Sequence, residues 1–208
     1  HDYLIFGYET IPRKKRRTYL TRIRTKKLID MVNDPSLYPI FDEKSKFDKR
    51  FASYLKREFL TVEDMTQEAL EKFAADKEYL FVKPNEGESG KGIERLKVAD
   101  FPDIAELYRY IKDPAKHFVV VEQELKQHPD MLRLYPNSVN SLRMATIIGD
   151  DGKPHCLYIT CKMGNKGKFV DNMENDGLAC PVDPKTGKIC GVAHTSALIN
   201  YDKHPYTG

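Results

Sequence analysis

Lys83-Pro84 stands directly before a segment carrying three glycines, Gly87, Gly90 and Gly92, together with Ser89 and Lys91. Glycines let backbone N–H groups approach an anion closely, and serine and lysine add a hydroxyl donor and positive charge. The segment therefore fits a phosphate-binding loop, and it fits an ordinary β-hairpin tip equally well. It is not a Walker-type loop, because Gly90-Lys91 is followed by Gly92 instead of Ser or Thr and the residues beyond read as a strand. It is not a protein-kinase loop either: there the lysine follows the glycines, and this chain has no H-R-D or D-F-G triplet.

Two further segments could do chemistry. Val119-Val120-Val121 runs into Glu122-Gln123-Glu124-Leu125. A strand ending in acids can offer backbone groups to a purine edge and a carboxylate to an exocyclic amine or ribose hydroxyl; a strand simply emerging into solvent is the alternative. Arg143 lies in the largely apolar run 139–146, where a guanidinium calls for an anion. Phosphate suits it, since the planar fork binds two oxygens at once, and a structural salt bridge is the other reading.

These residues need elements to hold them. Tyr79–Val82 reads as a strand leading to Lys83, and residues 93–98 as its return. Residues 101–112 read as a helix, with Ala105, Leu107, Tyr108 and Ile111 on one face. Phe118–Val121 is the most apolar strand, and 139–148 with 154–163 form a hairpin across Gly149-Asp150-Asp151-Gly152-Lys153. Upstream, a basic helix is expected over 12–32, with Leu20, Ile23, Leu28 and Met31 as its apolar stripe. A second helix starts after Asp42 as N-cap, burying Phe47, Phe51, Tyr54 and Leu55, and a third follows Thr61 with Asp64 completing a capping box. Helices mixed with mainly antiparallel strands predict an α+β protein.

Composition narrows the class. With 208 residues, 40% hydrophobic and 11% aromatic, the chain can build a core without disulfides or structural metal. No apolar stretch approaches the ~18 residues of a membrane span, and no signal peptide opens the sequence, which starts without Met. Cys156, Cys161, Cys180 and Cys190 form no C-x-x-C pair and have no finger-spaced histidines, so reduced thiols in a cytoplasmic protein are expected, not zinc. Net charge is +3, yet residues 13–27 hold nine Lys/Arg and no acid, leaving 25 basic against 31 acidic residues elsewhere. That segment could meet nucleic acid, anionic lipid or a phosphorylated substrate. Without aromatic interleaving beyond Tyr19 or a DNA-binding motif, a solvated face is favoured and no nucleic-acid partner is expected.

Taken in order, the lysine before a glycine hairpin, the strand ending in Glu and the strand bearing Arg resemble the ATP-grasp superfamily. The nearer resemblance is to its sugar-transfer-associated branch, related to the α-L-glutamate ligases. It rests on Lys83-Pro84, Glu122 with Gln127-His128-Pro129, Ser138-Val139-Asn140-Ser141-Leu142-Arg143, and Val170-Asp171-Asn172 with Gly177. Val182-Asp183 with Thr186-Gly187 and His204-Pro205-Tyr206-Thr207-Gly208 complete the series, which runs from about residue 40 to the last residue.

The resemblance implies two α+β lobes with ATP between them: a basic helical segment over 1–39, a first lobe over 40–120 and an incomplete second lobe over 121–208. Lys83 would hold the α- and β-phosphates while Gly87, Ser89, Gly90, Lys91 and Gly92 cover the β- and γ-phosphates. Glu122 would approach the adenine amine, with Gln123, Glu124 and Leu125 giving backbone contacts. Lys44 is a second phosphate lysine, in competition with Lys46. Arg143 would face the γ-phosphate or acyl phosphate, and Asp171 and Asn172 would line the acceptor side. The implied activity is ATP-dependent ligation through an acyl phosphate, with Mg²⁺ as cofactor and a small carboxylate or glycan-linked substrate. Its metal ligands are expected beyond Gly208, with Glu174, Asp176 and Asp183 as the alternatives within the chain. A phosphotransferase and a non-catalytic nucleotide-binding module remain the rival readings. His128 and His204 are expected to be structural.

Overall fold

The β-branched run Phe118–Gln123 forms the second strand of a four-stranded antiparallel sheet, in a computed structural model that describes residues 8–85 and 92–208. In chain order this sheet consists of β1 (Phe59–Thr61), β2 (Tyr79–Pro84), β3 (Glu94–Lys97) and β4 (Phe118–Gln123), arranged β1-β4-β2-β3. Side chains alternate between its faces. One face presents Leu80, Val82, Leu96 and Val121 to α5 (Gln67–Ala74) and α6 (Ile104–Lys112), whose Leu70, Phe73, Leu107 and Ile111 close the core. Burying each such side chain contributes about 1.5–3 kcal/mol. Asp103 caps α6 by accepting from Glu106 N–H at 2.8 Å. The opposite face carries Phe81, Lys83, Arg95 and Glu122, with Phe81 directly opposite both Glu122 and Arg95.

A second antiparallel sheet runs β5-β6-β7-β8-β9: Ser141–Ile148, Pro154–Met163, Leu178–Val182, Ala193–His194 and Asn200–Tyr201. The expected hairpin between β5 and β6 is present, closed by Gly149 N–H donating to Lys153 C=O at 2.9 Å. Cys161, Met163, Leu178, Cys180 and Val182 form this sheet's buried cluster. All four cysteines are free. The other face carries Ser141, directly opposite Lys162, and two residues along the strand Arg143.

The polar passage joining the sheets is organised by Asn140, which is 3% exposed. Its Nδ2 lies 2.8–2.9 Å from Gln127 Oε1, Met131 C=O and Tyr135 C=O, and its Oδ1 accepts from Gly164 N–H at 3.3 Å. The last residues fasten to the same region. His204 Nε2 donates to Gly164 C=O at 2.9 Å while Nδ1 accepts from Tyr206 and Thr207 N–H, and its ring stacks on buried Tyr135. His128 accepts from Asp130 N–H at the start of the short helix α7 (Pro129–Leu132).

The N-terminal helices depart from the sequence pattern. The basic helix is two pieces, α1 (Arg13–Arg16) and α2 (Arg22–Val32), because Thr21 caps the second by accepting from Arg24 N–H. Its apolar stripe faces outward: Leu20 is 66% and Met31 82% exposed. Asp42 ends α3 (Tyr38–Asp42), and Glu43, not Asp42, precedes α4 (Lys44–Leu55). Phe47, Phe51 and Leu55 of α4 are half-buried while Tyr54 is exposed. Thr61 belongs to β1; its hydroxyl does donate to Asp64, but the next helix is capped by Thr66, which accepts from Ala69 N–H. None of the described helices is long and apolar enough to cross a membrane.

Candidate active site

The polar faces of the two sheets enclose a cleft of about 970 Å³. Phe81, Lys83 and Arg95 form the wall on the first sheet, with Arg57 from the turn before β1 and Glu122, Gln123, Glu124 and Leu125 beside them. The far wall includes Gln127, Ser138, Ser141, Phe169, Asp171 and Asn172. Residues separated by as many as 115 positions, Arg57 to Asn172, thus meet in one space.

On the first wall every carboxylate is matched by a cation. Glu122, 4% exposed, receives Lys83 Nζ on one oxygen and Arg57 Nη2 on the other, the latter at 2.9 Å. Arg57 reaches it because α4 ends at Lys56 in the left-handed conformation (φ 54°), which turns the chain back toward β1. Glu124 pairs with the Arg95 guanidinium at 2.8–2.9 Å, and Arg95 in turn lies 3.5 Å above the Tyr79 ring. Gln123 is committed to the sheet: its N–H donates to Glu58 C=O at 3.0 Å, and its side chain accepts from Glu58 N–H. Glu124 and Leu125 fall past the end of β4.

Lys44 stands outside the cleft wall and donates to Asn85 C=O at 2.8 Å, at the edge of the glycine segment. Burial, and then the Lys83 charge, hold its ammonium below the ordinary lysine range, with Glu122 acting against both. Gly87, Ser89, Gly90 and Lys91 lie outside the described residues. Gly92 has φ +72°, and a Cβ there would meet Pro84 Cγ at 2.9 Å, so glycine is required where β3 starts beside Lys83-Pro84.

On the second wall, Ser141 Oγ donates to Asp171, whose other oxygen is 3.8 Å from Lys162 Nζ. Asn172 Oδ1 accepts from Glu174 N–H at 2.8 Å. Gly177 packs against this pair: a Cβ would fall 2.5 Å from Asp171 C=O and 2.7 Å from Asn172 C=O. Arg143 is exposed and outside the cleft lining, although β5 alternation puts it on the same face as Ser141. Solvent therefore satisfies a guanidinium that sequence context had suggested needed an anion.

Sequence reasoning missed Arg57, Asp48, Arg95 and Lys162. Asp48 gave one signal: it shares a helical face with Phe51 and Leu55 at i+3 and i+7, where an acid is out of place. The other three sit in unremarkable polar contexts.

Asp176 is held by Lys166 and Lys168, which keep its carboxyl down at about 2, and Asp183 accepts from Thr186 in its own turn. Among the described residues no group of three or more His, Cys, Asp or Glu side chains could hold a metal ion.

No curated protein matches the chain. Residues 23–208 match the family model described as sugar-transfer associated ATP-grasp. Because that match runs through both sheets and every segment meeting at the cleft, the chain belongs to the sugar-transfer associated ATP-grasp family and has its mixed α+β fold.

Proposed function

We propose that the cleft binds ATP and activates a carboxylate as an acyl phosphate for attack by an amine or hydroxyl. The observation that carries this reading is the convergence of Lys83, the segment 122–125 and the pair Asp171-Asn172 on one cleft between two sheets. In this reading Lys83 holds the α- and β-phosphates, and the segment 87–92 covers the β- and γ-phosphates. Glu124 and Leu125, which continue past the ladder, read the purine edge through their backbone. Glu122 acts mainly as the counter-charge of Lys83 and Arg57.

A carboxylate oxygen is a poor leaving group until phosphorylated. The substrate carboxylate attacks the γ-phosphorus, the bond to the β–γ bridging oxygen breaks, and ADP departs with the electron pair. The nucleophile then adds to the acyl carbon and expels phosphate. Cations stabilise the charge that builds on the transferring phosphoryl group. Arg143, on the cleft-side face of β5, is the candidate for that role, and Asp171, oriented by Ser141, with Asn172 places the acceptor. The family's association with sugar transfer supports a glycan-linked or amino-acid conjugate substrate in polysaccharide biosynthesis, where cytoplasmic ATP is available.

The test is trapping with hydroxylamine in the presence of ATP and candidate carboxylates. A hydroxamate formed together with ADP supports the ligase; ADP with a stable phosphorylated alcohol and no hydroxamate makes the protein a phosphotransferase instead.

A further inference from the structure

Two carboxylates are buried beside one another, one of which, Glu122, lines the cleft. Asp48, on α4, is 2% exposed and Glu122, on β4, 4%. Both lie near the same nitrogen: Arg57 Nη2 is 2.9 Å from Glu122 Oε1 and 3.8 Å from Asp48 Oδ1. Lys83 Nζ completes the group on Glu122 Oε2. Two cations thus balance two acids. Asp48 Oδ2 and Arg57 Nε are buried without a hydrogen-bond partner, which leaves this cluster room to bond differently.

Burial, and then the Glu122 charge, push the Asp48 carboxyl up to about 6, while Arg57 and Lys83 pull the other way. The charged groups that face it are Glu122 from β4, Lys83 from β2 and Arg57 from the turn before β1, with Lys44 one turn earlier on its own helix.

On the reading that the cleft binds a nucleotide, Lys83 must turn from Glu122 toward phosphate oxygens. That would leave Arg57 as the cation in contact with both buried carboxylates, with Lys44 donating to Asn85 C=O, and add polyphosphate charge nearby. Both changes disfavour a second buried anion. We propose that Asp48 is a positioning residue that takes up a proton from solvent when the nucleotide binds, releasing Lys83 to the phosphates while Arg57 stays on Glu122. The cluster is then one cation and one anion, as balanced as before.

The test is calorimetric titration of the β,γ-imido analogue of ATP, with Mg²⁺, in buffers of low and high ionisation enthalpy. The wild type and Asp48→Asn are compared between pH 6.5 and 8.5. Protonation of the analogue is common to both proteins, so the difference isolates Asp48. At pH 7.5 the wild type should take up at least several tenths of a proton more per analogue than the variant, and its affinity should fall several-fold more steeply toward pH 8.5. Equal uptake and parallel pH profiles overturn the proposal. Carbon-13 detection of the Asp48 carboxyl in the wild type, with and without analogue, gives the same answer if the variant folds poorly: an upward-moving titration midpoint supports the role and a fixed one refutes it. Binding without extra uptake removes the role of Asp48 alone, whereas no analogue binding by the wild type removes the nucleotide reading and this inference with it.

Discussion

The Lys83 ammonium is bound to the buried Glu122 carboxylate instead of projecting freely from the end of β2. Glu122 lies opposite Phe81 in the β2–β4 ladder, two residues from Lys83, so strand alternation sets both side chains on the cleft face. The lysine side chain is 20% exposed and the glutamate side chain 6%. A lysine at a strand end reads from sequence as a group with little bearing on stability; here it neutralises a carboxylate that has almost no access to water.

Lys83→Ala should therefore do two things. Loss of a charge-assisted contact to phosphate, worth roughly 1.5–3 kcal/mol, should weaken ATP binding ten-fold or more. It should also lower stability by about 1–2 kcal/mol, less than for a fully stranded charge because Arg57 remains on Glu122. Calorimetric titration and chemical denaturation check the two effects; unchanged nucleotide affinity removes Lys83 from the phosphate role.

How legible this site was in the sequence depends on how far apart its partners lie along the chain. The strand running into Glu122, the hairpin turn at residues 149–153 and the helix expected over 101–112 follow from local periodicity and turn chemistry, and the structure has each of them, with the helix starting at Ile104 behind its Asp103 cap. The break at residues 17–21, the cap at Thr66 and the exposure of Leu20 and Met31 were set by competing caps and by what the rest of the chain leaves uncovered. Arg57 takes its meaning from pairing with Glu122, 65 residues away, and Asp48 from meeting the same guanidinium beside that carboxylate, so neither is marked by its neighbours in the chain. Lys162 likewise acquires its place from the register that sets it opposite Ser141.

Asp48→Asn should make the protein more stable at neutral pH. In the folded state burial, and then the Glu122 charge, push this carboxyl up to about 6, above the ordinary aspartate value of 3.8. Between those values the folded state binds more protons than the unfolded state, so stability rises as pH falls through that window. Above it the charged form opposes folding in full, and the neutral amide should recover about 1–3 kcal/mol. Denaturation at pH 8 and pH 4.5 checks this: the gain should be present at the higher pH and shrink at the lower one. A loss at pH 8 would mean that the Asp48 charge contributes net stabilisation through Arg57.

Gly177→Ala should damage turnover more than ATP affinity. The added methyl cannot fit 2.5 Å from the Asp171 carbonyl, so the loop carrying Asp171 and Asn172 must move. A displacement near 1 Å at an acceptor site costs on the order of 100-fold in rate. Steady-state kinetics beside nucleotide titration separates the effects, and wild-type turnover would show that the pair has no part in placing the acceptor.

Arg143→Lys tests the exposed guanidinium on β5. Since no ion pair holds Arg143 among the described residues, melting temperature should stay within about 1–2 °C of wild type, as for surface substitutions generally. Turnover should fall more than ATP affinity, because lysine keeps the charge but loses the two-oxygen fork needed in the transition state. Parallel losses of stability and activity would point to a structural role.

Amide hydrogen exchange with and without the β,γ-imido analogue of ATP tests the location of the nucleotide most directly. The analogue should slow exchange in residues 79–85, at 122–125 and in 167–172, on both walls of the cleft. Protection confined to other segments, or none at saturating analogue, would contradict the assignment of this cleft as the ATP site.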